Sequence, residues 1–256
     1  MIRKCKLILL LLFFSFQVFY LNAQTSIRDS SINMSIIGLN YSLYQTDKDM
    51  GNSFGLTSMS GISYSFKFSN NFILSASFDF LFGSDVKEDD ILDELKTSKG
   101  YLLNSQGLME PIALEERGYF TSFKIGKLFP VLSVNPNSGI FVNIGAGFIQ
   151  HKIFFNYNQN YIDLPQIQGD YLKGYDRLTN GLALSQEIGY YHFANNNLGS
   201  FHFAFTVIEG FTQNRRDWNF DEFSKDTKKR LDLLYGFKIG LDIPVYNRVP
   251  DDFYIY

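Results

Sequence analysis

Apolar and polar residues alternate one by one along most of the chain. From Ser200 to Phe211, Phe201, Phe203, Phe205 and Val207 fall on one face and His202, Ala204 and Thr206 on the other. Phe72 to Phe82 repeats the pattern, with Leu74, Ala76, Phe78, Phe80 and Phe82 against Ser75, Ser77 and Asp79. Leu231 to Val245 sets Leu233, Tyr235, Phe237, Ile239, Leu241 and Ile243 against Asp232, Leu234, Gly236, Lys238, Gly240 and Asp242. Only an extended strand sorts neighbouring side chains to opposite faces with a period of two. Eight such runs are predicted, at 32–44, 55–68, 72–82, 116–129, 139–155, 181–193, 200–211 and 231–245.

These runs are 11 to 17 residues long, against roughly five or six in soluble sheets. A strand tilted by about 40° needs about ten residues to cross an apolar band of about 25 Å, so each run is long enough to span a membrane. The connections alternate as a membrane barrel requires, with short turns at 69–71, 130–138 and 194–199 and long loops at 45–54, 83–115, 156–180 and 212–230. Asn70-Asn71 and Asn195-Asn196-Asn197 suit tight turns, because Asn tolerates positive φ. A secreted β-sandwich or lipocalin-type barrel would also alternate, but its apolar face would point inward. The polar face here carries Asp79, Lys124, Glu187, Lys238 and Asp242, a set that a soluble core rarely buries. The predicted fold is an all-β, closed antiparallel transmembrane β-barrel of eight strands with long extracellular loops.

The N-terminus adds a destination. Arg3, Lys4 and Lys6 precede an apolar stretch from Leu7 to Leu21, and Asn22-Ala23-Gln24 offers a small residue for cleavage. This is the pattern of a secretory signal peptide, 1–23, leaving a barrel domain at 24–256. The apolar stretch is shorter than the about 20 residues of a transmembrane helix. Cys5, the sole cysteine, leaves with the signal, so no disulfide supports the exported chain. Loss of the three basic residues takes the formal charge from −3 to −6, which gives no general attraction for nucleic acid.

With its signal ending Asn22-Ala23-Gln24, eight aromatic strands, the run Leu231-Asp232-Leu233-Leu234-Tyr235-Gly236-Phe237-Lys238-Ile239-Gly240 and the end Phe253-Tyr254-Ile255-Tyr256, the chain resembles small outer-membrane β-barrels of the Bacteroidota type. The stretch Gly174-Tyr175-Asp176-Arg177-Leu178-Thr179-Asn180-Gly181 is similar to part of an uncharacterised family of such barrels, and carries no activity with it. The resemblance implies residence in the cell outer membrane, with outer-membrane lipid, the barrel assembly machinery during biogenesis and other envelope proteins as partners. It also implies a place in secretion, surface assembly or nutrient uptake. One departure stands out: Pro244 and Pro250 interrupt the C-terminus, which makes 246–256 a periplasmic tail rather than a strand. Tyr256 remains a candidate assembly signal.

Four candidate chemistries follow. Asp79, Lys124, Glu187, Lys238 and Asp242 lie on the lumen face as a charge network, read as a salt-bridged plug in a space only wide enough for side chains; the alternative is a small porin-like channel. Gly126, Gly145, Gly147, Gly189, Gly236 and Gly240 share that face and make room for long side chains. His151, near the outer rim with Ser185 and Glu187 on the next strand, is the sole hint of a lipid-active enzyme; a rim histidine is otherwise solvated or part of a girdle, and no catalytic motif surrounds it. Asp85, Glu88, Asp89, Asp90, Asp93 and Glu94 lack the spacing of a calcium loop, and Ile91, Leu92 and Leu95 predict a short amphipathic helix beside them. No catalytic, cofactor-binding or metal-binding residue is assigned. The long loops are the remaining candidate surface: Tyr161, Tyr171, Tyr175, Arg177, Arg215, Arg216 and Trp218 are residue types that dominate protein interfaces, unless the loops pack on themselves as a lid. The predicted role is a non-enzymatic scaffold or accessory subunit of an envelope complex.

Overall fold

The computed structural model describes Ile27 and residues 30–158, 162–195 and 199–246. The expected signal segment, residues 247–256 of the expected tail and Tyr161 lie outside the described residues. The strands are β1 (Met34–Asp47), β2 (Leu56–Lys67), β3 (Phe72–Gly83), β4 (Leu102–Leu103), β5 (Met109–Glu110), β6 (Ala113–Phe129), β7 (Gly139–Asn156), β8 (Thr179–His192), β9 (Phe201–Asn214) and β10 (Lys229–Val245). Strands β4 and β5 pair only with each other. The other eight close into an antiparallel ring in the order β1-β10-β9-β8-β7-β6-β3-β2.

Register sets the shape of that ring. Pairing leads from Lys127 on β6 through Val142, Ile188, Phe205, Phe237, Leu43, Ser58 and Phe82 back to β6 at Arg117, ten residues away. Such a stagger tilts the strands by about 40°, so each residue climbs about 2.5 Å along the barrel axis.

The alternation is inverted relative to a soluble barrel. On β1, Ile37, Leu39, Tyr41 and Leu43 are exposed, whereas Asn40 and Ser42 are buried in the lumen. Strand β10 likewise exposes Tyr235, Phe237, Ile239, Leu241 and Ile243 and buries Asp232, Lys238 and Asp242. A continuous apolar exterior closed on itself, with no open edge, is the arrangement that lipid permits.

Several strands run further at the long-loop end than the alternation indicates: β1 reaches Asp47, β9 reaches Asn214, and β6 begins at Ala113. Above the lipid the outward face no longer needs to be apolar, so the period fades while the ladder continues. The expected 45–54 loop is mostly the short helix α1 (Lys48–Ser53), where the Asp47 carboxylate accepts from Lys48 N at 2.7 Å. The amphipathic helix expected at Ile91–Leu95 is absent. A 3-10 turn, Asp93–Leu95, forms there instead, and Ile91 and Leu92 are both buried. So short a segment does not support a helix alone, and its apolar side chains dock on the barrel mouth instead.

The lumen has three layers. An apolar cluster closes the short-turn end, with Ile32, Met34, Ile36, Ile73, Leu128, Phe141, Tyr191 and Phe193. There Asn137 accepts from Ile32 N and Lys67 Nζ, each at 3.0 Å, and donates to Ile27 O at 3.0 Å. This ties the segment before β1 to the 130–138 turn. A polar layer fills the middle, and a second apolar cluster closes the long-loop end.

Candidate functional site

The middle layer centres on Glu187 of β8. Its carboxylate accepts from Lys124 Nζ, from Lys238 Nζ at 3.1 Å and from Asn143 Nδ2 at 3.2 Å. These groups come from β6, β10 and β7, so one acidic side chain ties the lumen wall together across strands that are not all neighbours. A buried charge is tolerable in such a space only when its partners are in place. The strands leave room by omitting side chains: a Cβ on Gly145 would stand 2.5 Å from Lys124 Cγ.

The other two expected lumen charges make no hydrogen bond within this triad, although Asp79 is near enough to attract both lysines. Asp242 pairs with His202, whose Nδ1 lies 2.9 and 3.1 Å from its two carboxylate oxygens. Asp79 is buried, and its Oδ1 has no hydrogen-bond partner among the described residues. Asn143 and His202 were not singled out beforehand as members of the lumen network, although both stand at inward positions of the alternation. A Cβ on Gly240 would come 2.1 Å from His202 Cε1, which explains why glycine faces the imidazole.

His151 is neither solvated nor part of a girdle, and that expectation is corrected. It is buried beneath the long loops, with Nε2 3.0 Å from Asp232 Oδ2 and the Phe54 ring edge-on at 5.5 Å. Thr212 Oγ1 donates to the same Asp232 oxygen at 2.6 Å. Ser185 pairs in register with Gly145, and His151 with Thr179. Six residues of strand, about 20 Å, therefore separate Ser185 from the histidine, and no Ser-His-acid set forms.

The long loops pack into a lid. Met50, Phe54, Ile91, Leu92, Leu102, Leu164 and Ile167 are buried against Leu81, Phe120, Ile149, Ile153, Phe155, Ile208 and Leu234 of the strands. Ion pairs clasp the loops to one another. Arg177 Nε donates to Glu88 Oε2 at 3.1 Å, and its Nη2 pairs with Asp221. Arg216 binds Asp176 through two bonds, one of them Nε to Oδ1 at 2.6 Å. Lys228 reaches Asp49 at 2.7 Å, and Leu231 N donates to the same carboxylate at 2.8 Å. These two donors hold the Asp49 carboxyl below its usual value. Burial pushes the Asp221 carboxyl up despite its Arg177 partner.

Of the loop residues expected to meet a partner, Arg177 and Arg216 are thus engaged within the lid. Tyr175 packs edge-on against Phe220 at 5.5 Å, and Arg215 donates to Asn180 Oδ1 at 2.6 Å on the outer rim. Tyr171 and Trp218 remain open, at 64% and 47% exposure. Phe223, which the loop composition did not set apart from its neighbours, is exposed by 66% and has a positive φ of 48°. It stands on a tight turn where Asn219 N donates to Ser224 O at 2.8 Å. The acidic loop residues do not form a metal centre: among the described residues no three His, Cys, Asp or Glu side chains converge to hold an ion, and Glu88 instead accepts from Arg177 and Ser53.

No protein-family profile and no curated protein matches the sequence. Among solved structures, the chain is similar to Ail, the attachment invasion locus protein of Yersinia pestis, determined with the heparin analogue sucrose octasulfate. Identity is 12%, coverage 82% of this chain and 99% of Ail, and the TM-score 0.41. For the outer membrane protein OprG of Pseudomonas aeruginosa the values are 10%, 85%, 99% and 0.41. For Neisserial surface protein A they are 9%, 81%, 96% and 0.40.

Proposed function

We propose that the chain is exported by residues 1–23, inserted in the outer membrane, and acts there as a non-enzymatic scaffold or accessory subunit of an envelope assembly, with the lid as its docking platform. The lid supports this reading more than any other feature. Four loops pack over a filled lumen, yet Tyr171, Trp218 and Phe223 are left uncovered. A bulky side chain at positive φ is costly and is retained where surrounding structure enforces it. Holding Phe223 there, as the last residue of the turn before Ser224, presents an aromatic anchor of the kind that fills a partner's pocket. The clasps of Arg177 and Arg216 place that anchor on an ordered base, which lowers the entropy lost on binding.

The test is co-purification of the full-length protein, in mild detergent, from its own envelope. Trp218→Ala with Phe223→Ala is expected to keep heat-modifiable barrel migration and lose the wild-type partners. Retention of every partner at wild-type yield would refute the docking role of the lid.

A further inference from the structure

The lipid-facing surface carries one residue that lipid does not explain. Between the outward aromatics Tyr64 and Tyr190 toward the short-turn end and Tyr119, Phe148 and Tyr235 toward the long-loop end, the outward positions of the described strands are aliphatic, aromatic or hydroxyl-bearing, with one amide, Gln186 of β8. Strand β8 exposes Leu182, Leu184 and Ile188 along with it. Gln186 lies six residues from the inner end of its strand at His192, about 15 Å up an apolar band of about 25 Å. Its side-chain amide makes no hydrogen bond to any described residue. An amide in hydrocarbon with no partner is unfavourable, and across a membrane interface such a group is what holds two chains together.

The surroundings of Gln186 permit close approach. Its register partner on β9 is Val207, the one outward apolar residue of that strand that is not phenylalanine. On β7 the diagonal neighbour is Ala146, the smallest outward side chain there. Glu209, two residues beyond Val207 on β9, also faces outward and lacks an ion pair among the described residues. The strand tilt places it above Gln186 along the membrane normal, level with the outward tyrosines Tyr119 and Tyr235.

We infer that this face of β7, β8 and β9 is a homodimer interface in the membrane, centred on Gln186. Two copies inserted with the same orientation are related by a two-fold axis along the membrane normal, so a residue on the axis meets its own copy at the same height. An amide is both donor and acceptor, so Gln186 satisfies Gln186 of the second copy. Ala146 and Val207 flank the axis at nearly equal height, and each faces the other across it. This surface is remote from the lid and does not depend on the docking reading.

The test uses the full-length protein in lipid vesicles over a range of protein-to-lipid ratios, with dimer measured by energy transfer between labelled copies. Wild type is expected to dimerise, Gln186→Leu to weaken dimerisation about tenfold or more, and Val207→Trp to abolish it. Ile239→Trp, on the lipid face of β10, is expected to have no effect. Heat-modifiable migration establishes that each variant is folded. A photoreactive residue at Leu184 in the wild-type background gives an independent result, an adduct of twice the chain mass, if Gln186→Leu fails to insert. The inference is overturned if wild type is monomeric at every ratio, if dimerisation survives both Gln186→Leu and Val207→Trp, or if the adduct contains a different polypeptide.

Discussion

The middle of the lumen and the lid above it are both closed, but by opposite means. In the lumen the walls are a complete hydrogen-bonded ladder, so the backbone is already fixed and a few polar contacts, Lys124 and Lys238 on Glu187, are enough to fill the space. The lid has no such ladder: its loops are ordered by burying Leu92, Leu164 and Ile167 and by the clasps of Arg177 and Arg216. The contrast implies that a rigid wall can hold a polar interior, whereas irregular chain must bury apolar surface to offset its greater loss of conformational entropy. It also implies that damage to the lumen is felt by the whole barrel and damage to the lid stays local.

The largest expected effect is therefore in the lumen. Glu187→Gln removes the carboxylate that both buried ammonium groups contact, leaving only Asp79 nearby, and is expected to destabilise the entire barrel by about 3 to 5 kcal/mol, measured by urea unfolding in lipid vesicles. Replacing Asp79, Lys124, Glu187 and Lys238 together by apolar residues of similar volume should restore most of that loss. A change below about 1 kcal/mol for Glu187→Gln would remove the distinction between the two regions. Leu164→Ala in the lid is expected to cost about 2 to 4 kcal/mol, but locally. Faster proteolysis of the loops with an unchanged unfolding midpoint for the strands is the expected result, and a lowered midpoint would show that lid and barrel unfold together.

Gly240→Ala sharpens the lumen side, because its methyl would strike the His202 ring at 2.1 Å. A loss of about 1 to 3 kcal/mol is expected, relieved in part by His202→Ala. The smallest effect is that of pH on the lid. Asp49 is held below its usual 3.8 by Lys228 and Leu231 N, so its clasp is intact above that value and is lost as pH falls through the lowered one. Asp221, raised by burial, acts in the opposite sense: its ionisation costs the lid stability progressively as pH rises from its usual value through the raised one, and that cost remains above it. Loop proteolysis is expected to rise as pH falls below about 4, and Lys228→Ala is expected to remove that part of the dependence.

How much of this could be read in advance depends on where a period exists. Alternation in the strands distinguishes Lys124, Glu187 and Lys238 from Phe123, Ile188 and Phe237 and leads directly to an eight-strand barrel with a polar inside. It cannot say which inward charges meet, because that depends on barrel stagger: Glu187 finds Lys238 two strands away, while Asp242 is taken by His202. In the loops there is no period to use. Leu164 and Ile167 stand three apart in a single 3-10 turn at Pro165–Ile167, too short a stretch to show a period, so their burial was hidden, and Arg177 and Arg216 read as contacts for others when their carboxylates lie within the same lid. Gln186 breaks the outward pattern of its strand, yet the significance of that break emerges only once its depth in the membrane is known.

The filled lumen is the claim on which the rest depends, and ion conduction tests it most directly. Purified full-length protein in planar lipid bilayers is expected to show no steady conductance, because two apolar layers and the Glu187 triad occupy the path. Reproducible ohmic steps that a bulky substitution in the lumen abolishes would contradict this account and make the protein a channel.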